Sequence, residues 1–180
     1  MERDVIIQKI KGDLFRYTGY TDKKTFIKTF CRNRVFRFLT IFRLQDSDKL
    51  RLLFKLLWKL NSTKRLIQIT PGTQVGGGLL IVHYAPVFVN PSAIIGDNCT
   101  ISQNVTVGSN CGKAAVIGNN VYIGPNVCVV ENVKIGDNVT IGAGSVVTKD
   151  IPSNATAVGN YAKVINYNNP GKYIDNIFHF

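Results

Sequence analysis

A six-residue period runs through the chain from residue 69 to residue 151. Aliphatic residues occupy the first position of successive units, and small or β-branched residues occupy the fifth. Glycine, asparagine and aspartate fill the positions between them, where a turn needs an unusual backbone conformation. The first positions of the clearest units are Ile95, Ile101, Val107, Ile117, Ile123, Val129, Ile135 and Ile141.

A six-residue unit cannot bury its own apolar face. Three units make one triangular coil, and coils stack at the strand spacing of about 4.8 Å with their aliphatic side chains inside. We therefore predict a mainly β fold, a left-handed parallel β-helix over residues 67–165. A basic helical region over 1–66 precedes it, and a tail over 166–180 follows it.

Two insertions interrupt the period. Val87 and Phe88 are extra before the unit that begins at Val89, and residues 113–116 are extra before the unit that begins at Ile117. Stacked coils accept insertions at corners, where binding loops usually lie. With the insertions removed, the third positions of four units form one column at a corner, and these are His83, Gln103, Pro125 and Ala143.

The N-terminal region carries the positive charge of the chain. Residues 1–68 contain 17 of the 22 basic and 6 of the 11 acidic residues, which accounts for the whole net charge of +11. Apolar spacing predicts helices over 5–16, 23–44 and 49–60. No recognition helix, zinc module or aromatic platform is visible, so nucleic acid is not a predicted partner.

The third predicted helix has a cationic stripe, a broad apolar face and Trp58. Asp46, Ser47 and Asp48 are its predicted caps. Such a helix either contacts an anionic membrane surface or covers the base of the β-helix. No signal peptide or membrane span is predicted, so we expect a cytoplasmic protein with a peripheral association with the inner face of the membrane as one option.

The four cysteines show no paired spacing, and we predict reduced thiols that mostly fill the core. Cys99 and Cys111 fall at inward-facing fifth positions. The chain has only two histidines, so it cannot supply a three-histidine zinc site, and no metal is predicted. His179 lies in an aromatic tail, where we expect no chemical role.

His83 is the candidate catalytic residue because it lies on an exposed corner beside an insertion. A neutral imidazole suits general base catalysis near neutral pH. The alternative is a solvated turn histidine with no chemical function.

The stretch from residue 69 to residue 164 resembles the hexapeptide-repeat acyltransferases, most closely the serine acetyltransferase branch. Residues 81–83, 95–108, 141–147 and 159–164 carry the resemblance. In the helical region, residues 13–16 and 36–44 resemble the short lead of that branch's surface-polysaccharide members.

The resemblance implies a homotrimer with acetyl-CoA in the groove between neighbouring β-helices. It also implies that His83 is the base, and that Gln103 and Asp13 contact the acceptor. The residues that it places at the donor are Ala143, Gly144, Lys149, Gly159 and Lys163.

Two departures from serine acetyltransferases concern the acceptor. Gln68 stands where an aspartate orients the base, and Ala114 or a neighbour stands where a second histidine lies. These losses favour O-acetylation of a sugar in a surface polysaccharide or its precursor. A serine O-acetyltransferase, an N-acetyltransferase acting on an amino sugar and a non-catalytic scaffold remain as alternatives.

Overall fold

The computed structural model describes residues 3–45, 51–63 and 67–180. In these parts, helices precede a long series of short strands. The helices are α1 (Arg3–Thr18), α2 (Lys23–Arg32), α3 (Arg34–Leu44) and α4 (Arg51–Thr63). The strands are β1 (Ile67–Ile69), β2 (Gln74–Val75), β3 (Leu80–Ile81), β4 (Val87–Val89), β5 (Ile94–Ile95), β6 (Thr100–Ile101), β7 (Val105–Gly108), β8 (Val116–Ile117), β9 (Tyr122–Ile123), β10 (Cys128–Val130), β11 (Lys134–Ile135), β12 (Thr140–Ile141), β13 (Val146–Val147), β14 (Thr156–Val158) and β15 (Lys163–Asn166).

The helix predicted over 23–44 is two helices, and this prediction was wrong at Asn33. Asn33 has an extended backbone, and its side-chain oxygen accepts hydrogen bonds from the N–H groups of Val35 and Phe36 at 3.0 Å. The side chain therefore caps α3 and separates it from α2. The predicted caps of the last helix, Asp46 to Asp48, lie outside the described residues.

The strands form three parallel sheets, which confirms the predicted β-helix. The β-helix has about five coils. Sheet A has the order β1-β4-β7-β10-β13, and sheet B has the order β2-β5-β8-β11. Sheet C has the order β3-β6-β9-β12-β14-β15, in which β15 is antiparallel and ends the stack. No described helix is long and apolar enough to cross a membrane.

Each sheet contributes a ladder of aliphatic side chains to the core. In sheet A, strand register aligns Ile69, Val89, Val107, Val129 and Val147, all of which are buried. This regular ladder is what the six-residue period predicts, because each first position repeats at one place in the coil.

Both insertions lie earlier in the chain than the six-residue period predicted. Val87 is fully buried and pairs with Val105, so the two extra residues lie in the turn from His83 to Pro86. The second insertion also precedes its predicted position, because Ala115 is buried and accepts a hydrogen bond from the N–H of Ile94.

All four cysteines are free thiols, as predicted, but the prediction that they mostly fill the core was wrong. Cys31 and Cys111 are exposed and Cys128 is half-buried, whereas only Cys99 is buried. Cys111 faces solvent because Ala115 takes the inward position of its coil. Burial raises the pKa of the Cys99 thiol to about 12.

Side chains of the helical region cap the first coil on all three sheets. The indole Nε1 of Trp58 donates to the carbonyl of Ile69 in sheet A at 3.1 Å. Arg43 donates to the carbonyl of Val75 in sheet B at 2.9 Å. In sheet C the Tyr17 hydroxyl donates to the carbonyl of Ile81 at 2.9 Å.

The tail after residue 166 runs back along the β-helix toward the first coil. Gly171 donates to the carbonyl of Asn138, and the Tyr173 ring lies 4.8 Å from that of Tyr122. Further on, Asn98 exchanges two hydrogen bonds of 3.0 Å with the backbone of Phe178. The tail thereby crosses successive coils and reaches α1.

Candidate active site

One corner of the β-helix contains most of the predicted site residues. Strand register in sheet C aligns Ile81, Ile101, Ile123, Ile141 and Ala157. The corner between sheets C and A lies two residues after each of these aligned positions. The residues of this corner column are His83, Gln103, Pro125, Ala143 and Gly159. At the usual strand spacing, the column extends about 19 Å.

His83 begins the longer turn in this column. Its φ of 66° lies in the left-handed region, which is uncommon for any residue other than glycine. The side chain is exposed. Within the described parts of the chain no hydrogen bond to the imidazole is present. A residue in a sparsely populated backbone conformation, with a free side chain on a corner, is a candidate functional residue.

Tyr17 fixes the strand that leads to His83. Its hydroxyl donates to the carbonyl of Ile81 at 2.9 Å and accepts from the N–H of the same residue at 3.2 Å. Burial raises the pKa of the Tyr17 phenol, so it remains protonated and able to donate. Sequence reasoning missed Tyr17 because its role depends on how α1 docks onto the first coil.

His83 opens onto a cleft of about 650 Å³ between the helical region and the first coil. The β-helix wall runs from Leu80 to Tyr84, and α1 contributes Arg16 and Tyr17. The junction of α2 and α3 supplies the third wall, residues 32–35. A concave site beside an exposed imidazole is a candidate binding site.

Neither of the two residues named for the acceptor lines this cleft. Asp13 is 1% exposed and forms a buried ion pair with Arg43, with Oδ2 at 2.9 Å from Nε. Its Oδ1 accepts from the Arg43 guanidinium and from the N–H of Leu79. Asp13 therefore attaches α1 to α3 and the first coil and does not line the cleft. Gln103 is half-buried, one coil from His83.

The residues predicted to contact the donor lie toward the other end of the column. Ala143 and Gly144 are exposed three coils beyond His83, and Gly159 is exposed one coil further. Lys163 is exposed at the start of β15. Lys149 follows β13 and so lies at the next corner, between sheets A and B.

The two departures from the family pattern have different surroundings. Gln68 is exposed in the middle of β1 and does not line the cleft. Ala114 is buried, at 1% exposure, and cannot face an acceptor. The loop before it is held by Glu131, which accepts from the N–H of Asn110 at 3.1 Å and from the Ser109 hydroxyl at 2.8 Å. These bonds lower the pKa of Glu131.

Comparisons with known proteins agree with this geometry. The family model of the bacterial transferase hexapeptide (six repeats) matches residues 114–149. The model of the hexapeptide repeat of succinyl-transferase matches residues 92–124. A search of the curated proteins finds no matching sequence.

Solved serine acetyltransferases share the fold of nearly the whole chain. The Neisseria gonorrhoeae enzyme is 28% identical with a TM-score of 0.74, covering 92% of this chain and 69% of its own. The soybean apoenzyme is 28% identical with a TM-score of 0.73, covering 91% and 68%. The chain is an acyltransferase with hexapeptide repeats, and its fold resembles that of the serine acetyltransferases.

This acyltransferase also resembles an enzyme solved with coenzyme A. Serine acetyltransferase from Brucella abortus strain S19, in complex with coenzyme A, is 26% identical with a TM-score of 0.71. The match covers 90% of this acyltransferase and 66% of the Brucella chain.

Proposed function

We propose that the protein transfers the acetyl group of acetyl-CoA to a hydroxyl of a sugar in a surface polysaccharide or its precursor. The observation that carries the proposal is the corner column. It puts an exposed, unpaired His83 at one end and the exposed backbone of Ala143, Gly144 and Gly159 at the other. The Brucella relative solved with coenzyme A supports an acyl-CoA donor.

The proposed reaction is a direct transfer with His83 as general base. The neutral imidazole takes the proton of the acceptor hydroxyl while that oxygen attacks the thioester carbonyl. Backbone N–H groups at the corner stabilise the oxyanion. When the carbon–sulfur bond breaks, His83 returns the proton to the leaving thiolate. No acyl-enzyme is needed.

The donor site is proposed to need a second subunit. Ala143, Gly144, Gly159 and Lys163 form an exposed strip on the last coils. A neighbouring β-helix in a homotrimer would turn this strip into a groove for the pantetheine arm. Lys149 lies at the next corner, so it would contact an acetyl-CoA molecule bound in the groove with a different neighbouring subunit.

A sugar acceptor is proposed in preference to serine. Ala114 or a neighbour stands in the place of the second family histidine, and Ala114 is buried. Neither Ala114 nor Ala115 has a side chain that could bind a small zwitterion. Gln68 offers no carboxylate to His83. A serine acceptor remains the second candidate because serine acetyltransferases are the structural relatives, and the soybean enzyme has been solved with serine.

A panel of acceptors tests the proposal. Thiol release from acetyl-CoA is measured with L-serine, simple sugars, amino sugars, nucleotide sugars and oligosaccharides. We expect release with sugars and little with L-serine. Release with L-serine alone would reject the sugar acceptor, and release only with amino sugars would indicate N-acetylation. If neither thiol release nor acetyl-CoA binding is detected, the protein is a non-catalytic scaffold.

We also propose a cytoplasmic location with contact to the inner face of the membrane. Helix α4 exposes Leu52 at 84%, Leu53 at 48% and Leu56 at 55%, beside the exposed Lys55. Apolar and cationic residues on one surface helix suit an anionic bilayer. Co-sedimentation with anionic liposomes should be lost in a Leu52→Ser/Leu53→Ser/Leu56→Ser variant. Equal pelleting of the two proteins would reject the contact.

A further inference from the structure

The cleft beside His83 is strongly basic. Three of the residues that line it are arginines, Arg16, Arg32 and Arg34, and none of its described lining residues is aspartate or glutamate. An adjoining cleft of about 440 Å³ shares Tyr17, Arg32 and Asn33 with it and adds Lys28. The acceptor side of the molecule therefore presents a continuous positive surface.

Arg16 is a buried part of this basic surface and is held in place by hydrogen bonds. The residue is 3% exposed, yet its guanidinium forms no ion pair within the described residues. Its Nη2 donates to the Thr100 hydroxyl at 2.6 Å, and its Nη1 donates to the main-chain carbonyl of Asp175. The buried Nε has no hydrogen-bond partner. Burying a cation without an ion pair is costly. Asp175 stabilises this cation electrostatically without forming an ion pair, so an anion in the cleft would add to its stabilisation.

Arg34 brings positive charge close to the base. Its guanidinium carbon lies 5.8 Å from the ring centroid of Tyr84, the residue that follows His83. Arg32 lies two residues earlier and lines the same wall. Both side chains are exposed, so they can move onto a ligand without a loss of core packing.

We infer that the acceptor carries an anionic group near the hydroxyl that is acetylated, and that Arg16, Arg32 and Arg34 recognise it. This inference rests on the proposed function and adds the substrate class. The planar fork of a guanidinium binds carboxylate and phosphate oxygens in pairs. The group is therefore the carboxylate of a uronic acid or the phosphate of a sugar phosphate.

A binding experiment that needs no turnover tests the inference. In a His179→Gln protein, His83 is the only histidine, so its imidazole NMR signal reports on the cleft. Glucose 1-phosphate, glucuronate and glucose are titrated at constant ionic strength. We expect saturable shifts with at least one of the two anions and none with glucose. The stronger of the two responses identifies the anionic group.

Matched variants distinguish anion binding in the cleft from nonspecific attraction to positive charge. Arg32→Gln/Arg34→Gln should weaken anion binding at least tenfold. Lys11→Gln/Lys134→Gln, which removes two exposed charges outside this cleft, should leave binding unchanged. A response to glucose equal to that of the anions, no response to either anion, or full affinity in the arginine variant would overturn the inference.

The inference and the proposed function can fail separately. Anion binding at His83 without thiol release from acetyl-CoA for any acceptor would reject the acetyltransferase and keep the anion site. Thiol release with neutral sugars, and no arginine-dependent binding of either anion, would reject the anion site and keep the acetyltransferase.

Discussion

Backbone conformation at single residues determines how this acyltransferase presents His83, the proposed base. In the next two coils the left-handed residue after the sheet C strand is an asparagine, at Asn104 and Asn126. In the first coil it is His83, one position earlier, because the turn contains two more residues. The corner that holds an asparagine in the next two coils therefore exposes the His83 imidazole in the first coil.

Tyr17 is predicted to be a positioning residue. Replacing Tyr17 with Phe removes both hydrogen bonds to Ile81, two residues before His83. We expect kcat to fall about tenfold, with KM for acetyl-CoA unchanged, because misplacing a catalytic group slows the chemical step more than it weakens donor binding. Steady-state kinetics measure this, with the exposed Tyr167→Phe as the control. An unchanged kcat would show that the hydrogen bonds from Tyr17 to Ile81 do not position His83.

The cysteines provide a prediction about pH. With a pKa of about 12, the Cys99 thiol stays protonated at pH 8 and lacks the reactive thiolate. A thiol reagent at that pH should modify Cys31 and Cys111 rapidly and Cys99 only after unfolding, which mass spectrometry of the labelled peptides would show. Rapid labelling of Cys99 in the folded protein would contradict its burial.

At the scale of elements, the helical region and the tail complete the first coil. The free edges of three sheets would otherwise present unpaired backbone groups. Trp58 and Tyr17 satisfy one carbonyl each, and Arg43 satisfies two. The tail returns to hold α1 through Arg16 and Phe178. The cleft beside His83 is lined by the helical region and the first coil, so its shape depends on how they dock.

The Asp13–Arg43 pair should be essential for that docking. Removing one partner of a buried pair leaves an uncompensated charge, at a cost of about 3–5 kcal/mol. We therefore expect Asp13→Ala to lower the melting temperature clearly, while the exposed Asp4→Ala should not. Calorimetry measures both. Wild-type stability combined with a loss of acceptor affinity would instead return Asp13 to the acceptor role that the sequence predicted.

For the whole molecule, the sequence predicted what the repeat determines and missed what tertiary docking determines. The coil ladder and the corner column follow from periodicity, since each inward residue recurs every coil. The insertions were misplaced because Val87 and Val89 are both aliphatic and either could hold the phase. Cys111 and Ala115 are both small, so sequence could not decide which one faces inward. The basic cleft was missed because its walls are distant in sequence.

Assembly is the remaining prediction for the whole molecule. A homotrimer of the 19.9 kDa chain should have a mass of about 60 kDa by light scattering. The physical reason is the exposure of Ala143 and Gly159, which a neighbouring subunit would cover to form the proposed donor groove. A monomeric mass that still binds acetyl-CoA tightly would contradict the shared donor site.

The most direct test of the account is thiol release from acetyl-CoA by wild type, His83→Ala and His179→Ala, with sugars as acceptors. General base catalysis typically contributes about 100- to 10,000-fold, so we expect a loss of at least 100-fold in His83→Ala. His179→Ala should retain the wild-type rate. Sugar-dependent release that survives in His83→Ala would contradict the central claim that this histidine is the base.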